Sequence, residues 1–213
     1  MEFDKFLEAV SKVKNISLPG EASQFKMSPP FRLELVEKQR EAMKHARKAS
    51  VLALFYPDSM QITNLALILR KTYKGVHSAQ VGFPGGKVET TDESLKHTAL
   101  RETREEIGVP EEDVMVLKTL SEMYIPPSNF HVYPFLGTTS KTPNFIKQDE
   151  EVEAIIEVKL SDLVDDQFVV QKIVMVSSQK EVEVPAYNFE GNVIWGATAM
   201  MLSEIKDLLK QVI

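Results

Sequence analysis

Three carboxylates close together in one segment are the residues best suited to chemistry. Glu102, Glu105 and Glu106 follow Arg101 in a stretch with helical character, and Thr103 and Arg104 separate the first acid from the other two. At about 100° of turn per residue, the three side chains fall within about 100° of arc on one helix face. Clustered carboxylates repel one another unless a cation binds, and hard divalent cations such as Mg²⁺ prefer oxygen ligands. The pattern indicates a metal site, and the alternative is a solvated helix face, which explains most glutamate-rich helices.

The residues around these acids predict how they are positioned. Thr91 or Asp92 is expected to cap the helix and Gly108 to end it. Arg101, on the flank of the acidic face, is expected to hold Glu93 in an ion pair and so to orient the neighbouring carboxylates. An apolar stripe would anchor the helix against a core, and it consists of Ala99, Leu100, Thr103 and Ile107.

The segment from Phe83 to Val109 resembles the Nudix box, the signature of the Nudix hydrolases. The conserved types of that signature are matched by Gly86, Glu93, Arg101, Glu102, Glu105, Glu106 and Gly108, with hydrophobic residues at Ile107 and Val109. One departure is that the spacing from Gly86 to Glu93 is one residue longer than in the family pattern. The resemblance implies the α/β Nudix fold, an α/β/α sandwich in which a mixed curved sheet lies between helices.

The same resemblance implies hydrolysis of a diphosphate linked to another moiety, with Mg²⁺ or Mn²⁺ as the cofactor. Glu102 and Glu106 are the expected main metal ligands, and Glu105 is either a further ligand or the base that takes a proton from water. Glu102, Glu105 and Arg101 are therefore the candidate catalytic residues. Gly86 joins the candidate metal site because glycine lets backbone groups approach a metal closely.

Nudix enzymes often take one more acid from a loop outside the box. The acidic segment from Gln148 leads into a strand with Val152, and it offers Glu151 as the first candidate and Glu153 as the second. The alternative is that both are solvated loop acids.

A narrower resemblance links the segment before the box to the coenzyme A pyrophosphatase branch of the family. The residues that match that branch are Leu67, Arg70, His77, Gln80, Val81, Phe83, Pro84, Gly85 and Gly86. Ile68, Lys71, Gly75 and Ala79 depart from it. Gly75 stands where the branch has a second arginine, which weakens the case for a phosphate contact at this position. Lys71 or Lys74 is a candidate to make that contact instead of the missing arginine.

Coenzyme A or an acyl derivative is therefore the expected substrate, cleaved to 3′,5′-ADP and (acyl-)4′-phosphopantetheine. The candidate substrate-binding residues are Arg70, Lys74, His77, Gln80, Gly85, Tyr124 and Phe130. Tyr124 and Phe130 lie in a segment that also resembles the branch, and an aromatic ring there would stack on adenine. Core packing is the alternative for Phe130, and a packed or surface position is the alternative for His77.

Two other functions fit the same box. The first keeps the chemistry and changes the substrate to ADP-ribose, NADH or a nucleoside triphosphate. The second is a Nudix domain that senses a nucleotide without turnover, although a pure binder has no need of three aligned acids.

Composition limits the remaining possibilities. The 213 residues carry a net charge of −6 and 43% hydrophobic residues, which suits one compact domain with additions and no general affinity for nucleic acid or membrane surfaces. The chain has no cysteine, which excludes disulfides and thiolate metal sites. We also expect a cytoplasmic protein, since no signal peptide or membrane span is evident.

The rest of the chain predicts alternating strands and helices. Residues 1–48 are expected to form a helical extension and residues 49–213 the Nudix domain. An amphipathic helix near Phe3 would pack either on the core or on a second subunit of a homodimer. A basic helix-like segment through Lys38, Arg40, Lys44 and Lys48 is better explained as a solvated face than as a phosphate-binding surface. Strands are expected at Val51–Tyr56, Leu65–Leu69, Val114–Leu120, Val152–Val158, Val169–Val176 and Val182–Phe189. A C-terminal helix is expected after the segment Ile194–Ala199, and Trp195 is expected in the core.

Overall fold

The computed structural model describes residues 1–71, 80–175 and 181–213 of the chain. Its helices are α1 (Phe3–Val10), α2 (Glu21–Gln24), α3 (Arg32–Lys38), α4 (Arg40–Met43), α5 (Leu95–Ile107), α6 (Leu160–Val164) and α7 (Gly196–Leu209). Its strands are β1 (Arg47–Pro57), β2 (Thr63–Arg70), β3 (Val81–Gly82), β4 (Gly85–Lys87), β5 (Met115–Thr119), β6 (Met123–Ile125), β7 (Phe130–Thr138), β8 (Val152–Lys159), β9 (Val169–Met175), β10 (Glu181–Phe189) and β11 (Asn192–Trp195).

Strand β1 is the centre of the main sheet, which comprises β1 to β8. It pairs antiparallel with β2, parallel with β7 and, near its start, antiparallel with β4. Strand β8 adds to the far side of β2, and β5 and β6 pair with β7. The sheet is thus mixed, as expected.

Both faces of β1 are buried, which explains its nearly continuous apolar sequence. Leu52, Leu54 and Tyr56 point to one face and share a hydrophobic cluster with Ala99 and Ile107 of α5. The opposite face belongs to a second cluster, which includes Ala53 and Phe55 of β1, Phe6 of α1 and Leu202 of α7. Helices therefore cover the sheet on both sides, and the predicted sandwich of helix, sheet and helix layers is confirmed.

Helix α1 packs on the core of its own chain. Its Phe6 ring lies 5.1 Å from the Phe55 ring, and both side chains are fully buried. The backbone N–H of Phe3 donates to the carbonyl of Gln61 at 2.8 Å, so this helix is also tied to the connection between β1 and β2.

The basic segment differs from the expected single helix. It forms the short helices α3 and α4, while Lys48 lies in β1 because it continues the pairing of that strand with β7. Lys38, Arg40 and Lys44 form exposed ion pairs with acids three or four residues earlier in the chain. A solvated face therefore describes these three residues.

The C-terminal part contains a separate sheet in the order β11-β10-β9. Strand β9 is an edge strand, and Val169, Ile173 and Met175 are exposed on one of its faces. Val176, expected to end this strand, lies outside the described residues. Trp195 is half-buried rather than in the core, because it stands at the end of β11 where α7 begins.

Candidate functional site

Helix α5 carries the three acids, and local interactions fix where it begins and ends. Ser94 caps the helix by accepting a hydrogen bond from the backbone N–H of His97 at 3.1 Å, so the expected cap at Thr91 or Asp92 is wrong. Gly108 ends the helix as expected, with a φ of +76° that favours glycine. Ala99, Leu100, Thr103 and Ile107 are buried, so the apolar stripe does anchor the helix against the sheet.

Asp92 is the ion-pair partner of Arg101, in place of the expected Glu93. Its Oδ1 accepts from Arg101 Nε at 2.8 Å and its Oδ2 from Nη2 at 3.0 Å. Thr98 Oγ1 and the backbone N–H of Glu89 also donate to Oδ2. These hydrogen bonds, that from Arg101 first, hold the pKa of Asp92 well below its usual range. The Asp92 side chain is shielded from solvent, whereas Glu93 is exposed.

Counting backwards from Arg101 with the family spacing leads to Glu93 rather than Asp92. The family spacing counted forwards from Gly86 arrives at Asp92, so the apparent extra residue falls after this acid rather than before it. The spacing counted forwards from Gly86 is therefore the feature of the sequence that points to Asp92.

Arg101 lies between two of the acids. Its Nη1 is 3.0 Å from Glu102 Oε1 and also 3.0 Å from Glu105 Oε2. Because Asp92 fixes the other side of the guanidinium, the arginine has little freedom to leave this position. Arg101 therefore contacts both Glu102 and Glu105, and its anchor is Asp92 rather than Glu93. That it orients these acids for function stays a prediction.

Glu106 is the most buried of the three acids on α5. Its Oε2 accepts from the backbone N–H of Gly85 at 2.7 Å. Its Oε1 lies 3.2 Å from Arg70 Nη1 but forms no hydrogen bond within the described ranges of the chain. Burial raises the pKa of Glu106 to about 7, and the charges of Glu102 and Glu151 raise it as well, although Arg70 opposes them. The effect of desolvation on the pKa of Glu106 is thus larger than the opposing effect of the Arg70 charge.

Glu102 occupies the space that Gly86 leaves open. A Cβ atom on Gly86 would lie 2.5 Å from the carboxylate carbon and both carboxylate oxygens of Glu102. Burial, ahead of repulsion by Glu105 and Glu151, raises the pKa of Glu102. Since the side chains of Glu102 and Glu106 are only 14% and 2% exposed, the alternative of a solvated helix face is wrong for these two acids.

Glu151 reaches this group electrostatically from the loop before β8. Its charge contributes to the raised pKa of both Glu102 and Glu106. Its backbone carbonyl accepts from the N–H of Lys71 at 2.8 Å, which ties the loop to the end of β2. Glu153, the second candidate, has its carboxylate 3.9 Å from Lys71 Nζ instead.

The acids fit a divalent cation in chemical type. Glu106 Oε1 is a buried oxygen without a hydrogen bond, and Glu102, Glu106 and Glu151 repel one another, which a cation would relieve. In the described ranges, however, no group of three or more His, Asp or Glu side chains has the arrangement of a preformed metal site. Arginine nitrogens lie among the carboxylates, so metal binding by Glu102, Glu105, Glu106, Gly86 and Glu151 stays a prediction.

The candidate substrate residues are only partly brought together. Arg70 reaches the acids, but its guanidinium is engaged by Glu106 and by the carbonyl of Gly85 at 2.7 Å. The carbonyl of Gln80 accepts from the N–H of Arg70, which places Gln80 beside the same strand end. Lys74 and His77 lie outside the described residues.

Tyr124 does not offer a free ring for stacking, which corrects the expectation. It is 7% exposed, its hydroxyl interacts with Gln39 Oε1 and Asn129 Oδ1, and its ring lies 5.3 Å from His131. Phe130 is half-buried, packs against the core and has the Arg47 guanidinium 4.2 Å from its ring centre. Core packing therefore describes Phe130 at least in part.

Two cavities lie away from the acids. One of about 230 Å³ is lined by residues such as Asn64, Glu157 and Asn192, and one of about 450 Å³ by residues such as Tyr187, Ser203 and Lys206. Neither includes a residue of α5 in its lining. Among the described helices, none is long and apolar enough to cross a membrane.

Comparison with known proteins identifies the family. The NUDIX domain matches residues 46–177. A Nudix hydrolase named NudL from Pectobacterium atrosepticum is 29% identical over 191 residues, covering 86% of this chain and 90% of the relative. The NudL of Yersinia pestis is 34% identical over 142 residues, covering 66% and 70% respectively. The fold is shared with RenU, a Nudix hydrolase from M. smegmatis, at a TM-score of 0.54 and 13% identity, over 79% of this chain and 88% of that one. The chain therefore belongs to the NUDIX domain family and is a Nudix hydrolase.

Proposed function

We propose that the protein hydrolyses the diphosphate of coenzyme A or an acyl-coenzyme A, giving 3′,5′-ADP and (acyl-)4′-phosphopantetheine. The observation that carries the reaction class is the shielded group of acids around Gly86, with Glu106 buried and Glu102 packed on the glycine. The substrate rests on the sequence from Arg70 to Gly86, whose two ends meet at the acids through the contacts of Arg70 with Gly85 and Glu106.

The residues that would hold Mg²⁺ or Mn²⁺ are Glu102, Glu106, Glu151 and the backbone of Gly86. Such an ion, when bound, neutralises phosphate charge and makes a water molecule more acidic. These ligands are held by the chain itself: Arg101 fixes Glu102, and the N–H of Gly85 fixes Glu106. Because the site is mostly shielded from bulk water, the orientation of each carboxylate is set by these contacts.

Glu105 is the proposed base. Its side chain is 46% exposed, far more than those of Glu102 and Glu106, so it is the acid of the helix that meets water. In the reaction, the oxygen of water forms a new bond to one phosphorus and the bond from the bridging oxygen to that phosphorus breaks. The water proton passes to Glu105, and two phosphomonoesters leave.

The deciding experiment compares hydrolysis of coenzyme A, 3′-dephospho-coenzyme A, ADP-ribose and NADH, each with Mg²⁺ and with Mn²⁺. We expect the fastest turnover with coenzyme A, and both phosphorylated products in equal amounts. Equal rates for coenzyme A and its 3′-dephosphorylated analogue would remove the reason for this substrate. Tight binding of one of these compounds without hydrolysis would instead favour a nucleotide sensor. In that case the Glu106→Gln variant should still bind the compound.

A further inference from the structure

A buried hydroxyl on strand β1 has no hydrogen-bond partner among the described residues. Ser50 is fully buried, and its Oγ forms no hydrogen bond with the part of the chain that the structure describes. Leaving a buried hydroxyl unpaired is unfavourable because the group loses its hydrogen bonds to water, and an apolar side chain of the same size would avoid that cost. The fold of β1 alone therefore gives no reason for a serine at this position.

The sheet register places Ser50 on the face covered by α5. Alternate residues of a strand share a face, and Leu52 and Leu54, which follow Ser50 at that interval, pack in the cluster that includes α5. Ser50 pairs directly with Gly86 of β4 on one side and with Tyr133 of β7 on the other. Its side chain therefore points towards the helix that carries the acids.

Glu102 is the carboxylate that lies over this pair. The position of a Gly86 Cβ is 2.5 Å from the Glu102 carboxylate. Because paired Cβ atoms lie roughly 5 Å apart across strands, the Ser50 Cβ lies within about 8 Å of that carboxylate. Rotation about the side-chain bonds of Ser50 and Glu102 would bring the two groups together.

We infer that Ser50 is a positioning residue, whose hydroxyl donates to Glu102 when this carboxylate binds the divalent cation of the proposed reaction. At present Glu102 Oε1 is held at 3.0 Å by Arg101, which it shares with Glu105. A carboxylate that shares its guanidinium with a second acid and also binds a metal ion needs another donor to keep its orientation. Ser50 supplies a neutral donor that, unlike arginine, does not compete electrostatically with the cation. This inference rests on the proposed function.

The experiment measures Mn²⁺ binding without substrate, by the electron paramagnetic resonance of free Mn²⁺, for the wild type, Ser50→Ala and Ser50→Thr. We expect Ser50→Ala to bind Mn²⁺ about tenfold more weakly, since groups that orient ligands typically contribute about 10–100-fold. Ser50→Thr keeps the hydroxyl and should recover most of the affinity. In EDTA, the Tm of Ser50→Ala should equal or exceed that of the wild type, because an unpaired hydroxyl has been removed. A purely structural role would lower this Tm instead.

Ser203→Ala is the matched control. Ser203 is also a buried serine, but its hydroxyl donates to the carbonyl of Ser23 at 2.8 Å and α7 packs on the opposite face of the sheet. The Ser203→Ala variant should bind Mn²⁺ with the same affinity as the wild type. Equal Mn²⁺ affinities of the wild type and Ser50→Ala would overturn the inference about Ser50 while leaving the proposed function in place. A wild type that binds no Mn²⁺ would overturn both.

Discussion

Asp92 holds the guanidinium of Arg101 through two parallel hydrogen bonds, at 2.8 and 3.0 Å, on the side of the arginine that faces away from Glu102 and Glu105. Both side chains are largely shielded from solvent. The orientation of two acids on α5 therefore depends on a residue outside the helix.

Asp92→Asn should destabilise the protein by about 2 kcal/mol, because it removes the charge and one of the two acceptor oxygens that bind Arg101. Arg101 then keeps Glu102 and Glu105 as charged partners. Glu93→Gln, the adjacent exposed acid, is the matched control and should change stability by less than about 0.5 kcal/mol. Urea unfolding measures both. Because the pKa of Asp92 is lowered, its contribution is complete above pH 3.8 and is lost as pH falls through the lowered value. A larger loss for Glu93→Gln than for Asp92→Asn would show that the ion pair is assigned to the wrong acid.

Gly86→Ala should remove activity while leaving the fold nearly intact. The added Cβ would meet the flexible end of Glu102 at 2.5 Å, so the carboxylate must move away from its place in the site. Steady-state turnover and Tm measure the two effects.

Gly85→Ala should destabilise the fold itself, by about 3 kcal/mol or more. Its added Cβ would lie 2.4 Å from the carbonyl oxygen of Ser50 and 2.6 Å from Val51 Cα, and its φ is +149°. Backbone atoms cannot move aside as Glu102 can. Similar Tm values for the two alanine variants would contradict this distinction between neighbouring glycines.

The raised pKa of Glu106 predicts a pH dependence of stability in the metal-free protein. An acid with a raised folded pKa binds its proton more tightly when folded, so the penalty for ionising it is absent below pH 4.5 and complete above pH 7. That penalty is on the order of 3 kcal/mol. In EDTA, Glu106→Gln should lose less stability than the wild type between these two pH limits. Glu105→Gln, a change at the exposed acid, should show the same pH dependence of stability as the wild type. The same pH dependence in all three proteins would argue against an ionisation penalty at Glu106.

Glu151→Gln should lower turnover by about 10–100-fold, whereas Glu153→Gln should stay close to wild type. Glu151 acts electrostatically on Glu102 and Glu106, while the Glu153 carboxylate lies near Lys71. Rates at saturating substrate over a range of Mg²⁺ concentrations separate weaker metal binding from slower chemistry. The reverse order of the two variants would identify Glu153 as the acid outside the box.

The acid helix could be predicted from the sequence because its evidence is local. Helical period, an apolar stripe and a terminal glycine are all contained in α5 and its neighbours, and each was confirmed. The residue that caps the N-terminus of the helix was harder to predict, since Thr91, Asp92 and Ser94 are all residue types that cap helices well. Ser94 caps the helix while the Asp92 carboxylate binds the Arg101 guanidinium.

The contacts of Arg70 and Tyr124 could not be predicted because they depend on which distant segments meet. Arg70 contacts Gly85 and Glu106 once β2 and β4 both lie beside β1. The hydroxyl of Tyr124 interacts with Gln39, far away in the sequence, which removes it from any role in stacking. Residue type shows what a side chain can do, but only the packing shows whether it is already engaged.

The parallel pairing of β1 with β7 also affects how the chain folds during its synthesis. As the protein leaves the ribosome, β1 keeps one edge without its partner until the segment ending at Thr138 has emerged. A sheet closed by such a distant strand folds slowly, and its apolar edge is exposed to other nascent chains during that time. Phe135 of β7 belongs to the hydrophobic cluster on which α5 packs, so the packing of the helix that carries the acids is completed only after this late closure.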